Sequence, residues 1–339
     1  MFNGRLNRSA SYYIDKNRIY IIFAVLFLIA TFLAPNFFNA FNLNSLLKTV
    51  NLYAMLAIGL SIVMITGQLD LSIQQVMNMG AVIALGLFSN NKLPWGVSFA
   101  VAVAIGAGFG LLNGLLVAKA KINSFIVTLG TMTIVNGVIF LYTNSGSISV
   151  NGDYSFSDFL LTAKIPLLPP ITIITLAVVI VFAIILAKTK FGRAFYMVGG
   201  NAETAWLAGI KKDRQLIIGF VLCGALSALA GALFAAGQGT AVPNMGDKGI
   251  SPLMVTIAAV IIGGVPMAGG KGGIIKSYFA VLALMTIFNM LSCFGTGYEA
   301  QLFTAGAVLA AVVLYESVTQ YMQDKIKGIR LRLLREVKK

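Results

Sequence analysis

Ten stretches of this 339-residue chain each carry about 18 to 25 mostly apolar residues with few charges, and no other feature restricts its folding so strongly. They are 19–38, 43–66, 72–89, 94–118, 122–142, 166–187, 214–238, 251–268, 274–293 and 300–318. The hydrocarbon core of a bilayer is about 30 Å thick and is crossed by roughly 20 apolar residues of helix. Only 11% of the residues are charged, against about 25% in an ordinary soluble domain. That is too little polarity to clothe a soluble globule, so the expected fold is an all-α, polytopic membrane protein of about ten transmembrane helices. The chain has no His, which removes imidazole acid–base chemistry and His-ligated metal. Cys223 and Cys293 both lie in apolar runs, so neither a disulfide framework nor a Cys-cluster metal site is expected. No metal or cofactor is expected in this chain.

Charge gives an independent test of the span count. With ten spans both termini share one side, together with segments 67–71, 119–121, 188–214 and 269–276. That side holds 21 of the 25 basic residues; only Lys48, Lys92, Lys164 and Lys248 fall on the other. Cytoplasmic loops carry the excess of Lys and Arg, so both termini are expected in the cytoplasm. The net charge of +14 then reads as a topology signal with contact to anionic lipid, and nucleic acid is not an expected partner. The expected organisation is a cytoplasmic tail (1–18), a transmembrane domain (19–318) with an inner loop at 188–213, and a basic cytoplasmic tail (319–339). The first apolar run is long and ends in APNFFNAFN without a small-residue cleavage site, so it reads as a retained helix.

Several segments depart from plain lipid-facing helix. TGQLDLS, Thr66 to Ser72, interrupts two apolar runs, and a carboxylate at membrane depth costs ~2.5–3.5 kcal/mol on insertion scales. Gln68, Asp70 and Ser72 therefore read as a pathway or gate, or Asp70 reads as the cap of the following helix. Gly106, Gly110 and Gly114 recur every fourth residue, a small-residue face for close helix packing, and Gly224, Ala228, Gly231 and Ala235 form a similar stripe. Asn113, Asn136, Gln238 and Asn289 sit inside spans and either line a polar route or bond across helices. Gly263 to Gly273 (GGVPMAGGKGG) lacks the Ser or Thr that follows the lysine of a phosphate loop, and reads as a tight re-entrant turn. It and TGQLDLS occupy comparable places in the two halves, as in transporters with internal repeats. In the inner loop, Asn201 is placed to cap a short helix, with Glu203 in its first turn, Gly209 closing it, and Ala202, Ala205 and Trp206 on one face. A two-turn helix is marginal alone in water and needs a surface to lie on.

At this loop the chain resembles a known family. FGRAFYMVGGNAETAWLAGI is similar to the cytoplasmic signature of the inner-membrane permeases of binding-protein-dependent ABC transporters of the ribose, galactose, arabinose and xylose type. GQLDLSIQQVMNMGAV, through its Asp-Leu-Ser core, NGLLVAKAKINSFIVTLGTM and IAAVIIGGVPMAGGKGG resemble further segments of that family in the same order. The resemblance covers about residues 19–318. It implies a type II-like ABC importer permease with broken or re-entrant segments in the bacterial cytoplasmic (inner) membrane. A second permease subunit would complete the pathway, and a periplasmic or extracellular binding protein would deliver a sugar. A cytoplasmic ABC ATPase, holding ATP and Mg, would drive the cycle. The resemblance carries the ATPase-coupling role onto Gly199, Gly200, Asn201, Glu203, Thr204, Ala205, Trp206, Leu207 and Gly209. Asp70 and Ser72 match family positions without an assigned role. Where sugar members carry an acidic Y-E-L-D-type stretch, this chain reads KGISPLMVTIAAV, which leaves the substrate open between an unusual sugar, a sugar-like signalling molecule and a polyol. The rival reading is an ion-coupled secondary transporter, which needs intramembrane carboxylates; only Asp70, Glu299 and Glu316 are available.

Overall fold

The computed structural model describes residues 2–162, 168–245, 251–297, 299–314 and 317–318, with side chains from residue 17 onward. The basic tail 319–339, Lys164, Lys248 and the side chains of Arg5, Arg8 and Lys16 lie outside the described residues. The helices in chain order are α1 (Phe2–Leu33), α2 (Ala40–Ile65), α3 (Ile73–Ser89), α4 (Trp95–Ala118), α5 (Ser124–Thr143), α6 (Ser155–Leu161), α7 (Pro170–Lys188), α8 (Lys190–Gly200), α9 (Ala202–Leu207), α10 (Lys212–Gln238), α11 (Pro252–Ile262) and α12 (Ile274–Cys293). A further apolar helix, α13, spans Glu299–Leu314. The only strands among the described residues are β1 (Ile148–Ser149) and β2 (Thr240–Ala241), an antiparallel pair with Ile148 opposite Ala241.

Six helices (α2, α4, α5, α7, α10 and α12) are long and apolar enough to cross a membrane. Shorter apolar helices, Asn17–Leu33 within α1, α3, α11 and α13, occupy the other four expected spans. The largest departures from the expected spans are at the first apolar helix and at 251–268. The first apolar helix ends at Leu33 rather than 38, since Pro35 disfavours helix at the preceding residue. The expected N-terminal tail 1–18 is helical and continuous with the first apolar helix, since α1 runs from Phe2 to Leu33 and its apolar part begins at Asn17. The expected span 251–268 is helical only to Ile262; α11 is about 16 Å long and cannot cross by itself.

Burial follows helix composition. From Val50 to Ile65 every residue of α2 is buried, as expected of a helix apolar on all sides. In α4, α5 and α7 only a third of the most apolar stretch is buried, leaving faces such as Leu111, Ile126, Ile134 and Ile180 for lipid. The long α10 packs against α4, α3 and α2 and organises the bundle. Close approach depends on glycine. A Cβ on Gly106 would come within 2.5 Å of Ala228 Cβ, one on Gly110 would strike the carbonyl of Phe220, and one on Gly114 would lie 2.8 Å from Ile217 Cα. The stripe on α10 serves two neighbours: Gly224 sits on the Gly106 carbonyl of α4, and Gly231 on the Met77 carbonyl of α3.

The loops gather at two ends. At one end lie α8, α9, the 66–72 break, the 119–123 turn and the 263–273 turn, linked by the Lys121–Asp213 contact and by the Gly270 N–H to Ile65 carbonyl bond of 2.8 Å. At the other lie the β pair and α6, where Ser89 Oγ donates to the Ser149 carbonyl and Trp95 stacks on Phe88 and Phe156. Ten described basic residues, from Lys119 to Lys276, lie at the α9 end; Lys48 and Lys92 lie toward the other.

Candidate functional site

At the α9 end, α8 and α9 form a bent pair. Thr189 starts α8 by accepting from the Gly192 N–H at 3.0 Å. Asn201 interrupts helical geometry at φ −161°, and its side chain accepts from the N–H groups of Glu203 and Thr204 at 2.9 and 3.0 Å. That satisfies two of the free donors at the start of α9. Gly209, at φ +76°, ends the turn, and the Ile210 N–H returns to the Ala205 carbonyl at 2.9 Å. The 199–209 segment is thus two helices joined at Asn201. Ala205 is fully buried, whereas Trp206 and Leu207 are 74% and 77% exposed. The expected shared face of Ala202, Ala205 and Trp206 is corrected accordingly. Ala205 closes inward, and the indole stands outward beside an open groove of about 520 Å³ lined by Lys119, Lys211, Lys212, Asp213, Arg214, Ile217 and Ile218. Asp213 accepts from Lys121 Nζ at 2.9 Å and pairs with Lys119 Nζ at 3.5 Å. The Lys121 hydrogen bond is the chief reason its carboxyl is held below the usual carboxylate range.

Behind this pair, three backbone segments converge. Gly199, one residue before the end of α8, seats against the Ile65 carbonyl and lies near Gly270 N, while that carbonyl accepts from Gly270. A Cβ on Gly269 would come within 2.5 Å of Gly67 N. The two irregular segments that the sequence placed in separate halves therefore touch each other, and the end of α8 touches both.

Of the candidate pathway residues, the structure brings together Asp70, Ser72 and Asn113. All three are buried. Asp70 Oδ1 accepts from Ser72 Oγ at 2.6 Å and from Ser72 N at 2.9 Å. It therefore closes the turn ahead of α3, whose N-cap position is Ser72 itself. Asn113 Nδ2 donates to Ser72 Oγ at 3.0 Å, and its Oδ1 accepts from Thr131 at 2.6 Å. The Leu71 N–H donates to Thr128 Oγ1 and the Leu69 N–H to Ser124 Oγ. The break is thus clamped by a hydroxyl row on α5, Ser124, Thr128 and Thr131. That row was legible as a three- and four-residue repeat in SFIVTLGT, and the sequence reading did not use it.

The remaining candidates lie apart. Gln68 is half-buried within the break, two residues before Asp70. Asn136 sits one face away on α5, and its Oδ1 finds no partner among the described residues. Asn289 forms a reciprocal amide pair with Asn42 at 2.8 and 2.9 Å, holding α12 to α2. A buried amide row on α3 was also not singled out: Gln74 accepts from Ser251 Oγ and Leu253 N at the start of α11, and Asn78 donates to Gln75. Gln74 thereby ties the half-helix α11 to α3.

This arrangement is a lipid-embedded bundle with two touching breaks and an exposed amphipathic hairpin at one end. Residues 42–314 match the family described as branched-chain amino acid transport system / permease component. The chain is 34% identical over 297 residues to the ribose import permease protein RbsC of Bacillus subtilis (strain 168), covering 86% of this chain and 89% of that protein. It is 32% identical over 306 residues to the L-arabinose transport system permease protein AraH of Escherichia coli (strain K12), covering 90% and 92%. It is 31% identical over 281 residues to the autoinducer 2 import system permease protein LsrC of Yersinia enterocolitica, covering 83% and 76%. No solved structure matches the chain. With this breadth of match over a multi-span apolar bundle, the chain belongs to the branched-chain amino acid transport system / permease component family and is a transport subunit of ABC-permease type, not an enzyme.

Proposed function

We propose that the chain is the membrane-spanning subunit of an ATP-driven importer for a sugar or sugar-like neutral solute. It crosses the bacterial inner membrane ten times with both termini in the cytoplasm, and it pairs with a second permease. An extracytoplasmic binding protein supplies solute at the β1–β2 end. A cytoplasmic ATPase, which holds the ATP and Mg, grips α8–α9. The observation that carries this reading is the pair Trp206–Leu207, raised on a capped six-residue helix whose inner residue Ala205 is fully buried. Two adjacent large apolar side chains, both about three-quarters exposed at the basic end of a membrane bundle, fit a partner groove that desolvates them. Amide and hydroxyl groups dominate the buried polar set, with Asp70 its sole acid among the described residues, which suits a neutral hydroxylated cargo. The pathway roles of Gln68, Asp70, Ser72, Asn113, Asn136 and Asn289 belong to the same proposal, with Asp70, Ser72 and Asn113 acting as a joint at the break.

The test is co-purification with a cytoplasmic ABC-type ATPase co-expressed with this chain. Trp206→Ala with Leu207→Ala is expected to weaken association by about tenfold or more, since a buried Trp anchor typically contributes 2 kcal/mol or more to an interface. Insertion in the membrane should be unchanged. Uptake should fail on ATP depletion and survive collapse of the proton gradient. Unchanged association, or uptake that follows the proton gradient, would overturn the reading and favour an ion-coupled transporter.

A further inference from the structure

Beside α9, the groove of about 520 Å³ combines two kinds of wall. Its base is apolar, from Ile217 and Ile218 of α10. Its rim carries Lys119, Lys211, Lys212 and Arg214. The one acid in the lining, Asp213, is already matched by Lys119 and Lys121, and among the described residues no ion pair engages Lys211, Lys212 or Arg214. The groove therefore holds positive charge that the chain does not neutralise.

Its position says what would neutralise it. On α4, Leu111, Leu115 and Lys119 fall four residues apart and share one face. Leu111 and Leu115 are 44% and 42% exposed, on the outside of the bundle. This face is an apolar strip that runs along the span and ends at Lys119 in the groove. Arg214 and Ile218 repeat the order on α10: a cation outermost, then an apolar residue one turn deeper. A protein partner approaching from the aqueous side would meet the cations without the strip. A phospholipid meets both, with acyl chains along Leu111 and Leu115 and a phosphate at the cationic rim.

We infer that this groove is a binding site for an anionic phospholipid, its phosphate held by Lys211, Lys212 and Arg214 and its chains lying on the outer face of α4. Basic pockets between spans on the cytoplasmic side recognise anionic headgroups through this chemistry. Because the site borders α9, lipid occupancy sets the charge beside the helix on which Trp206 and Leu207 stand. The inference goes beyond the transport reading and does not depend on it.

The experiment is a lipid titration of the full-length chain in detergent, read by native mass spectrometry, with phosphatidylglycerol and phosphatidylcholine of the same acyl chains. Phosphatidylglycerol should be retained preferentially. Lys211→Gln, Lys212→Gln and Arg214→Gln together should reduce that preference by about tenfold. Lys271→Gln with Lys276→Gln, which removes two cations at the same end but outside the groove, should leave it intact. Equal loss in both variants would show diffuse attraction and overturn the site. So would displacement of the lipid by inorganic phosphate, which would make it a free-anion site. Displacement by the purified ATPase would likewise assign the groove to that protein.

Discussion

At the scale of single residues, the decisive feature is how completely the buried polar groups around Asp70 satisfy one another. Asn113 accepts from Thr131 and donates to Ser72, so replacing it strands the Thr131 hydroxyl and leaves the Ser72 hydroxyl with only its bond to Asp70. Asn113→Ala is expected to cost ~1–3 kcal/mol and to lower the thermal midpoint of the solubilised protein, because each stranded group keeps its desolvation penalty. Asn136→Ala is the comparison. Its Oδ1 has no partner among the described residues, so the loss should be clearly smaller. A second prediction concerns Asp213. Its carboxyl is held below the usual range, first by the hydrogen bond from Lys121, so the folded state binds its proton more weakly than the unfolded chain does. The stability from this group is present above pH about 4 and is lost as pH falls through the lowered folded value. Asp213→Asn should lower the neutral part of a midpoint-versus-pH curve slightly and flatten its acidic limb by the same small amount, since the pair is solvent-accessible and weak. An unchanged limb would show that other carboxylates dominate the titration.

At the scale of elements, glycine placement decides which helices touch. The four-residue spacing of Gly106, Gly110 and Gly114 was legible as a packing face, but the partner was not, because spacing carries no information about which surface will be opposite. The structure supplies α10, and it shows Gly80 on α3 against Ala228 of the α10 stripe, a pairing that the spacing of neither helix specifies. Gly110→Ala should destabilise by ~1–3 kcal/mol, because its Cβ would strike the backbone carbonyl of Phe220, which cannot swing away as a side chain would. Gly108→Ala, on the same helix with nothing within 4 Å, should be neutral or slightly stabilising. Similar melting curves for the two variants would mean that α4 and α10 can separate without cost. The inner helix α9 shows the same division. Its cap at Asn201 and its stop at Gly209 are local and were readable. The outward turn of Trp206 was not, since it follows from where α8 and α10 leave room for Ala205.

At the scale of the whole molecule, the junction of Ile65, Gly199 and Gly270 links the exposed hairpin to both broken segments. From there contacts continue through the 66–72 break to α3, and through Gln74 to α11. Packed elements of this kind move between discrete arrangements rather than deforming smoothly. Gly199→Ala, whose Cβ would strike the Ile65 carbonyl, should therefore lower the thermal midpoint and, in the protein that folds, lower uptake per ATP hydrolysed. Uptake and hydrolysis that remain in proportion would show that the junction transmits nothing. By itself the sequence determined the membrane environment, the apolar segments, the sorting of basic residues, the caps and the places where helix must stop. Each of these depends on solvent transfer or on backbone groups within a turn or two. Only the tertiary structure decided that the two breaks meet, that α11 is half a span, that Asp70 is bonded to Ser72, and that a cationic groove opens beside Trp206. Those facts depend on which distant surfaces face each other, and apolar helices of similar composition do not encode their neighbours in any single segment.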